Sequence, residues 1–249
     1  MKRLMKELKR SAEEWGVSPR IAWWIFWLPI AGAIVVGLAR ANKPVYDLLT
    51  KEDGPIEWAE FIFYACACVA AAGVAVKRLL AGYYWQGLIY VGFALGMFFV
   101  SGEEIAWGQR ILGLQTPQQL AAINHQRELT VHNIQKVQDG LNLVLLLGGA
   151  YGTLAFFVNK RVQVEKLWDQ ANYLLVPPLF TVSSFAVLFG YKLVRLLVLR
   201  KPGFTVTRYA EWAELCFAFG LCIFAWLNYR RLQVQAALTA AQPAASKSH

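Results

Sequence analysis

Long apolar stretches alternate along this chain with short polar breaks that carry most of its charge. Six of the stretches reach the roughly 20-residue length at which a helix crosses ~30 Å of hydrocarbon. They lie near 21–39, 56–76, 84–102, 141–159, 173–191 and 209–227. Most end in basic residues: Arg40, Lys77 and Arg78, Lys160 and Arg161, Lys192, Arg230 and Arg231. A bilayer makes each span satisfy its own backbone, so the expected fold class is all-α. The pattern predicts a polytopic integral membrane protein with six transmembrane helices and a structured third loop. Residues 21–231 read as a single membrane domain, flanked by a cytoplasmic amphipathic segment, 1–20, and a disordered tail, 232–249.

The first apolar stretch invites comparison with a secretory leader, and Ala39-Arg40-Ala41 imitates a cleavage site. Its apolar run exceeds the usual ~7–15 residues of a leader and carries Trp23, Trp24 and Trp27. Ser18-Pro19 has the form of a helix start, so the span is read as retained. Before it, Met1–Trp15 interleaves Lys2, Arg3, Lys6, Lys9 and Arg10 with Leu4, Met5 and Leu8. That pattern suits a short helix on an anionic membrane surface.

Composition agrees with the pattern. The chain is 57% hydrophobic and only 16% charged, against about 25% charged in soluble domains. Its net charge of +9 sits at membrane flanks and forms no basic stripe with interleaved aromatics, so nucleic acid is not an expected partner. The expected partner is the bilayer, with a lipid substrate or other membrane subunits as candidates. Lysine and arginine slightly favour the ends occupied by both termini, which places the termini in the cytoplasm and the protein in the inner (plasma) membrane. Acidic residues are less even: Asp47, Glu52, Asp53, Glu57, Glu60, Glu103, Glu104, Glu128, Asp139, Glu211 and Glu214 all fall on the outer side. One face of the bundle is acidic.

The four cysteines, Cys66, Cys68, Cys216 and Cys222, fall inside spans, which argues against a disulfide framework. Cys66 and Cys68 point about 200° apart on a helix and make a poor metal pair.

Glu-Trp-Ala-Glu occurs twice, at Glu57–Glu60 and Glu211–Glu214, each time opening an apolar span. Aligning the two also matches Phe63, Cys68 and Ala71 with Phe217, Cys222 and Ala225. This suggests an internal repeat of 21–76 within 173–231, both copies running the same way, as in parallel-repeat transporters. Carboxylates at a span mouth need a reason. Glu57, Glu60, Glu103, Glu211 and Glu214 are therefore supporting site candidates. A helix-dipole role at the span starts is the plainer alternative.

The third loop begins Gly102-Glu103-Glu104-Ile105-Ala106-Trp107-Gly108-Gln109-Arg110. Thr116-Pro117-Gln118-Gln119 reads as a capped helix start, running to about Asn124. Beyond it, helical spacing would put His125, Glu128, His132 and Gln135 on one face. Gly102–Arg110, followed by Asn124-x-Gln126-x-Glu128-x-x-x-His132-Asn133, resembles the signature of a family of bacterial polytopic membrane proteins of similar length. The resemblance extends to Glu52-Asp53-Gly54 and Glu57 and covers most of the chain. It implies the architecture and marks residues, and it brings no activity with it. His125 departs from the apolar residue the resemblance leads one to expect.

Glu104, Glu128 and His132 are the catalytic candidates, and the same three are the candidate ligands of a divalent metal ion. Trp107, Gln109, Arg110 and Asn133 are the substrate-binding candidates. No nucleophile elbow, zincin motif or P-loop is present. Three readings follow: a metal- or acid/base-dependent enzyme acting on a lipid or envelope precursor at the outer leaflet, a small proton- or cation-coupled transporter, and an assembly or scaffold subunit of a membrane complex.

Overall fold

A computed structural model of the protein describes residues 2–51, 54–124, 127–132, 134–162, 172–199 and 203–241. Twelve α-helices are present among them. They are α1 (Lys2–Glu14), α2 (Pro19–Ala39), α3 (Lys43–Thr50), α4 (Pro55–Leu80), α5 (Tyr84–Glu104), α6 (Gln109–Leu112), α7 (Gln118–Ile123), α8 (Gln135–Val162), α9 (Asn172–Leu175), α10 (Val182–Leu197), α11 (Phe204–Arg208) and α12 (Ala210–Ala241). No strand occurs among the described residues, only an isolated antiparallel bridge between Asn124 and Ile134. Among the described residues six segments are long and apolar enough to cross a membrane: Pro19–Ala39, Lys43–Leu80, Tyr84–Glu104, Val137–Arg161, Tyr173–Leu197 and Phe204–Thr239. The protein is an all-α, multi-pass membrane protein.

Prolines and small polar residues set the helix starts. Pro19 and Pro55 occupy first turns, where a missing N–H costs nothing. Asn42 accepts from the Val45 N–H to begin α3. Gly82, at φ +81°, makes the tight reversal between α4 and α5.

Association of spans within lipid relies on close packing rather than water exclusion, and small residues line the seams. α4 is central, packed on α5 along one side and α12 along another. Its buried face of Ala67, Ala70, Ala71, Val74 and Ala75 meets Tyr90 and Ala94 of α5 and Ala225 and Leu232 of α12. α8 lies on α10, where a Cβ added to Gly152 would stand 2.2 Å from the Phe185 ring. α2 packs on α10 and α12, with Trp212 Nε1 donating to the Pro29 carbonyl at 3.3 Å.

α4 and α12 run side by side in the same direction. Phe63 meets Phe219 edge to face with ring centroids 5.3 Å apart, and further along Gly73 sits against the Tyr229 ring. This pairing brings the two Glu-Trp-Ala-Glu segments to one end of the bundle.

At the opposite end, α1 covers the helix termini rather than lying free of the bundle. Leu8 and Ala12 pack with Ala22, Leu179, Phe180, Val182 and Leu227, and Ser11 Oγ accepts from the Leu179 N–H. Its basic residues Lys2, Arg3, Lys6, Lys9 and Arg10 stay exposed.

Two local expectations are corrected. Residues 127–132 are irregular, so Glu128 and His132 share no helix face. Side chains capture the local N–H and C=O groups there and outcompete the helical ladder. The third-loop helix is present as α7, but Pro117 takes the N-cap position and the Thr116 hydroxyl is used elsewhere.

Candidate functional site

Parallel pairing of α4 and α12 gathers carboxylates that are remote in sequence. Glu57 and Glu60 stand on the first turns of α4, Glu211 and Glu214 on the first turns of α12. α5 arrives from the other direction and contributes its last residue, Glu104. The Glu60 and Glu104 side chains interact closely, and Glu57, Glu211 and Glu214 act electrostatically on both. Glu60 is only 1% exposed, and its Oε1 has no hydrogen-bond partner. Two carboxyl groups can hydrogen-bond only when one of them carries a proton.

A buried cation answers part of this charge. Lys192 of α10 is 7% exposed and donates to Glu214 Oε1 at 2.9 Å and to Asn142 Oδ1 of α8 at 2.7 Å. Tyr64, one turn beyond Glu60, is buried against the same carboxylates. Tyr64 and Asn142 escaped the sequence reading. A helical i, i+4 step from Glu60 points to Tyr64, whereas nothing local points to Asn142.

The neighbouring residue Glu103 has a different task. Its Oε2 accepts from the N–H groups of Val131 at 2.7 Å and His132 at 2.9 Å, and its Oε1 accepts from Trp107 Nε1 at 2.6 Å. Glu103 thereby ties the end of α5 to the chain entering α8. Between them lies a left-handed turn, Ala106, Trp107 and Gly108, with φ of 46°, 54° and 74°. Such conformations cost roughly 1–3 kcal/mol each for residues other than glycine and persist only when surroundings enforce them. Here the Trp107 ring is held by Glu103 and by the rings of Phe98 and Phe99, each 5.8 Å away. Gly102 leaves the space, since a Cβ there would lie 2.7 Å from the Trp107 ring.

The rest of the loop is built the same way. Gln109 Nε2 donates to Thr116 Oγ1 at 2.8 Å, while Gln109 Oε1 accepts from the Leu129 N–H at 2.6 Å. Thr116 Oγ1 donates to the Arg127 carbonyl at 2.7 Å. Asn124 Nδ2 donates to the carbonyls of Glu128 at 3.1 Å and Thr130 at 2.6 Å. Buried loop backbone needs such partners.

The candidates therefore divide. Glu104 joins Glu57, Glu60, Glu211 and Glu214. His132 joins Glu103, with Nδ1 3.1 Å from Oε2. Glu128 sits half-buried in the irregular loop. Trp107 and Gln109 hold the loop together. His125, Asn133, Glu52, Asp53 and the side chains of Arg110 and Gln135 lie outside the described residues. Among the described residues no three of His, Cys, Asp and Glu are arranged to hold a metal ion. Glu104, Glu128 and His132 do not fit a metal centre. The cysteines are free thiols.

Comparison with protein-family models, with curated proteins and with solved structures finds no match to this chain.

Proposed function

We propose that the protein resides in a bacterial inner membrane with both termini cytoplasmic, and that its carboxylate cluster takes up and releases protons to drive a transport step. The observation that carries this reading is the pairing of buried Glu60 on α4 with Glu104, the last residue of α5. It asks for a shared proton where three further carboxylates and Lys192 set the local field.

The duplicated segment supports the same reading. Span α2 leads through short α3 into acidic α4, and span α10 leads through short α11 into acidic α12. The connectors clasp one another: Tyr46 Oη donates to the Thr205 carbonyl at 2.6 Å, and Arg208 donates to the Thr50 carbonyl at 3.1 Å. We read this as an internal repeat with its axis along the membrane normal. In the same reading the chain is a member of the family its signature resembles, and the signature residues build the loop. An enzyme relying on Glu104, Glu128 and His132 together gains no support, because His132 is engaged by Glu103.

Infrared difference spectra between high and low pH test the proposal. The carbonyl band of a protonated carboxylic acid should respond to pH, and Glu60→Gln or Glu104→Gln should remove that response. Liposomes with a pH-sensitive dye should show proton entry under an imposed potential that both variants lose. Unchanged spectra and flux in the two variants would overturn the assignment.

A further inference from the structure

At the α1 end of the bundle two arginines from different spans meet on one aromatic ring. Arg78, in the last turn of α4, has its Cζ 5.8 Å from the centre of the Tyr173 ring and donates to the Tyr173 hydroxyl. Arg231 of α12 stands over the same ring, with its Cζ 4.3 Å from the centre. Tyr83, in the turn between α4 and α5, has its ring 5.0 Å from the Arg78 Cζ. Trp15, just beyond α1, has its ring 5.6 Å from the Arg231 Cζ. Tyr173 is itself held in place, because the carbonyl of the next residue, Leu174, accepts from buried Tyr90 Oη at 2.9 Å.

The charge at this ring is not answered by the protein. Lys9, Arg10, Lys43, Lys160 and Lys192 all have acidic partners. Among the described residues no carboxylate pairs with Arg78 or Arg231, and Lys77, over the Tyr229 ring at 5.9 Å, adds a third positive charge beside them. Aromatic rings hold a guanidinium by its face and leave its N–H edge for an oxyanion. Two such groups at one ring suit a phosphate, which accepts paired N–H donors.

The surroundings select the kind of phosphate. Leu80, Tyr83, Tyr84, Trp85 and Leu88 follow closely in the chain and are all exposed. Tyrosine and tryptophan at a span end mark the headgroup level of the bilayer. A free ion makes no use of that apolar surface, whereas the chains of a phospholipid cover it.

We propose that Arg78 and Arg231 bind the phosphate of an acidic phospholipid in the leaflet on the α1 side, with its acyl chains against the exposed start of α5. Basic pockets between spans take acidic headgroups in this way. A zwitterionic lipid brings an ammonium group that Lys77 and the two arginines repel. The bound lipid bridges α4 and α12, the two helices that carry the acidic cluster at their other ends.

Native mass spectrometry of delipidated protein in detergent, titrated with lipid, tests the site. Dioleoyl phosphatidylglycerol should bind roughly tenfold tighter than dioleoyl phosphatidylcholine. Arg231→Gln, which spares the contact between Arg78 and Tyr173, should remove that preference, and Arg78→Gln should do the same. Glutamine at Lys2, Lys6 and Lys9 of α1 removes more charge and should leave the preference intact. Loss in the α1 variant without loss in Arg231→Gln would overturn the site in favour of a diffuse basic surface. Equal binding of the two lipids by the native protein would overturn it whatever the variants do. Inorganic phosphate should not displace the bound lipid; if it does, the pair of arginines serves a free anion and the lipid assignment falls.

Discussion

Glu103 and His132, 29 residues apart, are joined twice: one carboxylate oxygen accepts the His132 backbone N–H at 2.9 Å and lies 3.1 Å from its ring nitrogen. Glu104, the next residue, turns to Glu60 instead. Two adjacent acids at the end of α5 thus serve structure and site separately.

Conservative substitution should separate them. Glu103→Gln places an amide donor among N–H donors, and stability should fall by about 1–3 kcal/mol as a buried group loses its partner. Thermal unfolding in detergent and faster proteolysis within 125–133 would record it. Glu104→Gln offers Glu60 an amide donor and removes a charge, so the unfolding temperature should hold or rise while the infrared response disappears. Equal destabilisation by both would refute the division.

Lys192 and Glu214 should behave as a coupled pair. Removing one partner of a buried ion pair costs about 3–5 kcal/mol, and less where a partner is partly wet; the Glu214 side chain is 28% exposed. Lys192→Met should destabilise clearly, and Lys192→Met with Glu214→Gln should recover much of the loss. A double variant as unstable as the sum of the singles would show independent residues.

Gly152 should tolerate no side chain. Gly152→Ala forces the added methyl into the Phe185 ring and should cost about 1–3 kcal/mol by overpacking. Gly92→Ala, where nothing lies within 4 Å of the added Cβ, should be neutral or slightly stabilising. Denaturation of the two variants side by side gives the comparison.

Docking of α1 should weaken in acid. The hydrogen bond from Lys160, 2.6 Å from Glu7 Oε2, holds the Glu7 carboxyl below its ordinary value. A lowered folded-state value means that the contribution is complete above the ordinary carboxylate range and lost as pH falls through the folded value. Trp15, packed on Phe224 and beneath Arg231, reports docking by fluorescence. Glu7→Gln should flatten the acid-side change, and an identical profile in the variant would dismiss the contact as its cause.

If all six candidate spans cross, both termini lie on one side of the membrane. Reporters fused before α1 and after Ala241, the end of α12, should both be active only in cytoplasmic form. An opposite result for either fusion would invert or break the acidic outer face.

The sequence by itself determined the helical class and the spans, because a bilayer leaves an apolar segment of that length one way to satisfy its backbone. Its repeated Glu-Trp-Ala-Glu already marked two acidic helix starts. Only the tertiary structure decided that α4 and α12 lie side by side, since apolar helices in lipid carry little in sequence to name their neighbours. It also decided which of Glu103 and Glu104 faces the cluster, for the end of a helix sets direction through one turn's rotation. The loop from Glu103 to Ile134 misled the helical reading for a related reason. Its backbone bonds go to Glu103, Gln109, Thr116 and Asn124, partners that folding supplies and periodicity cannot express.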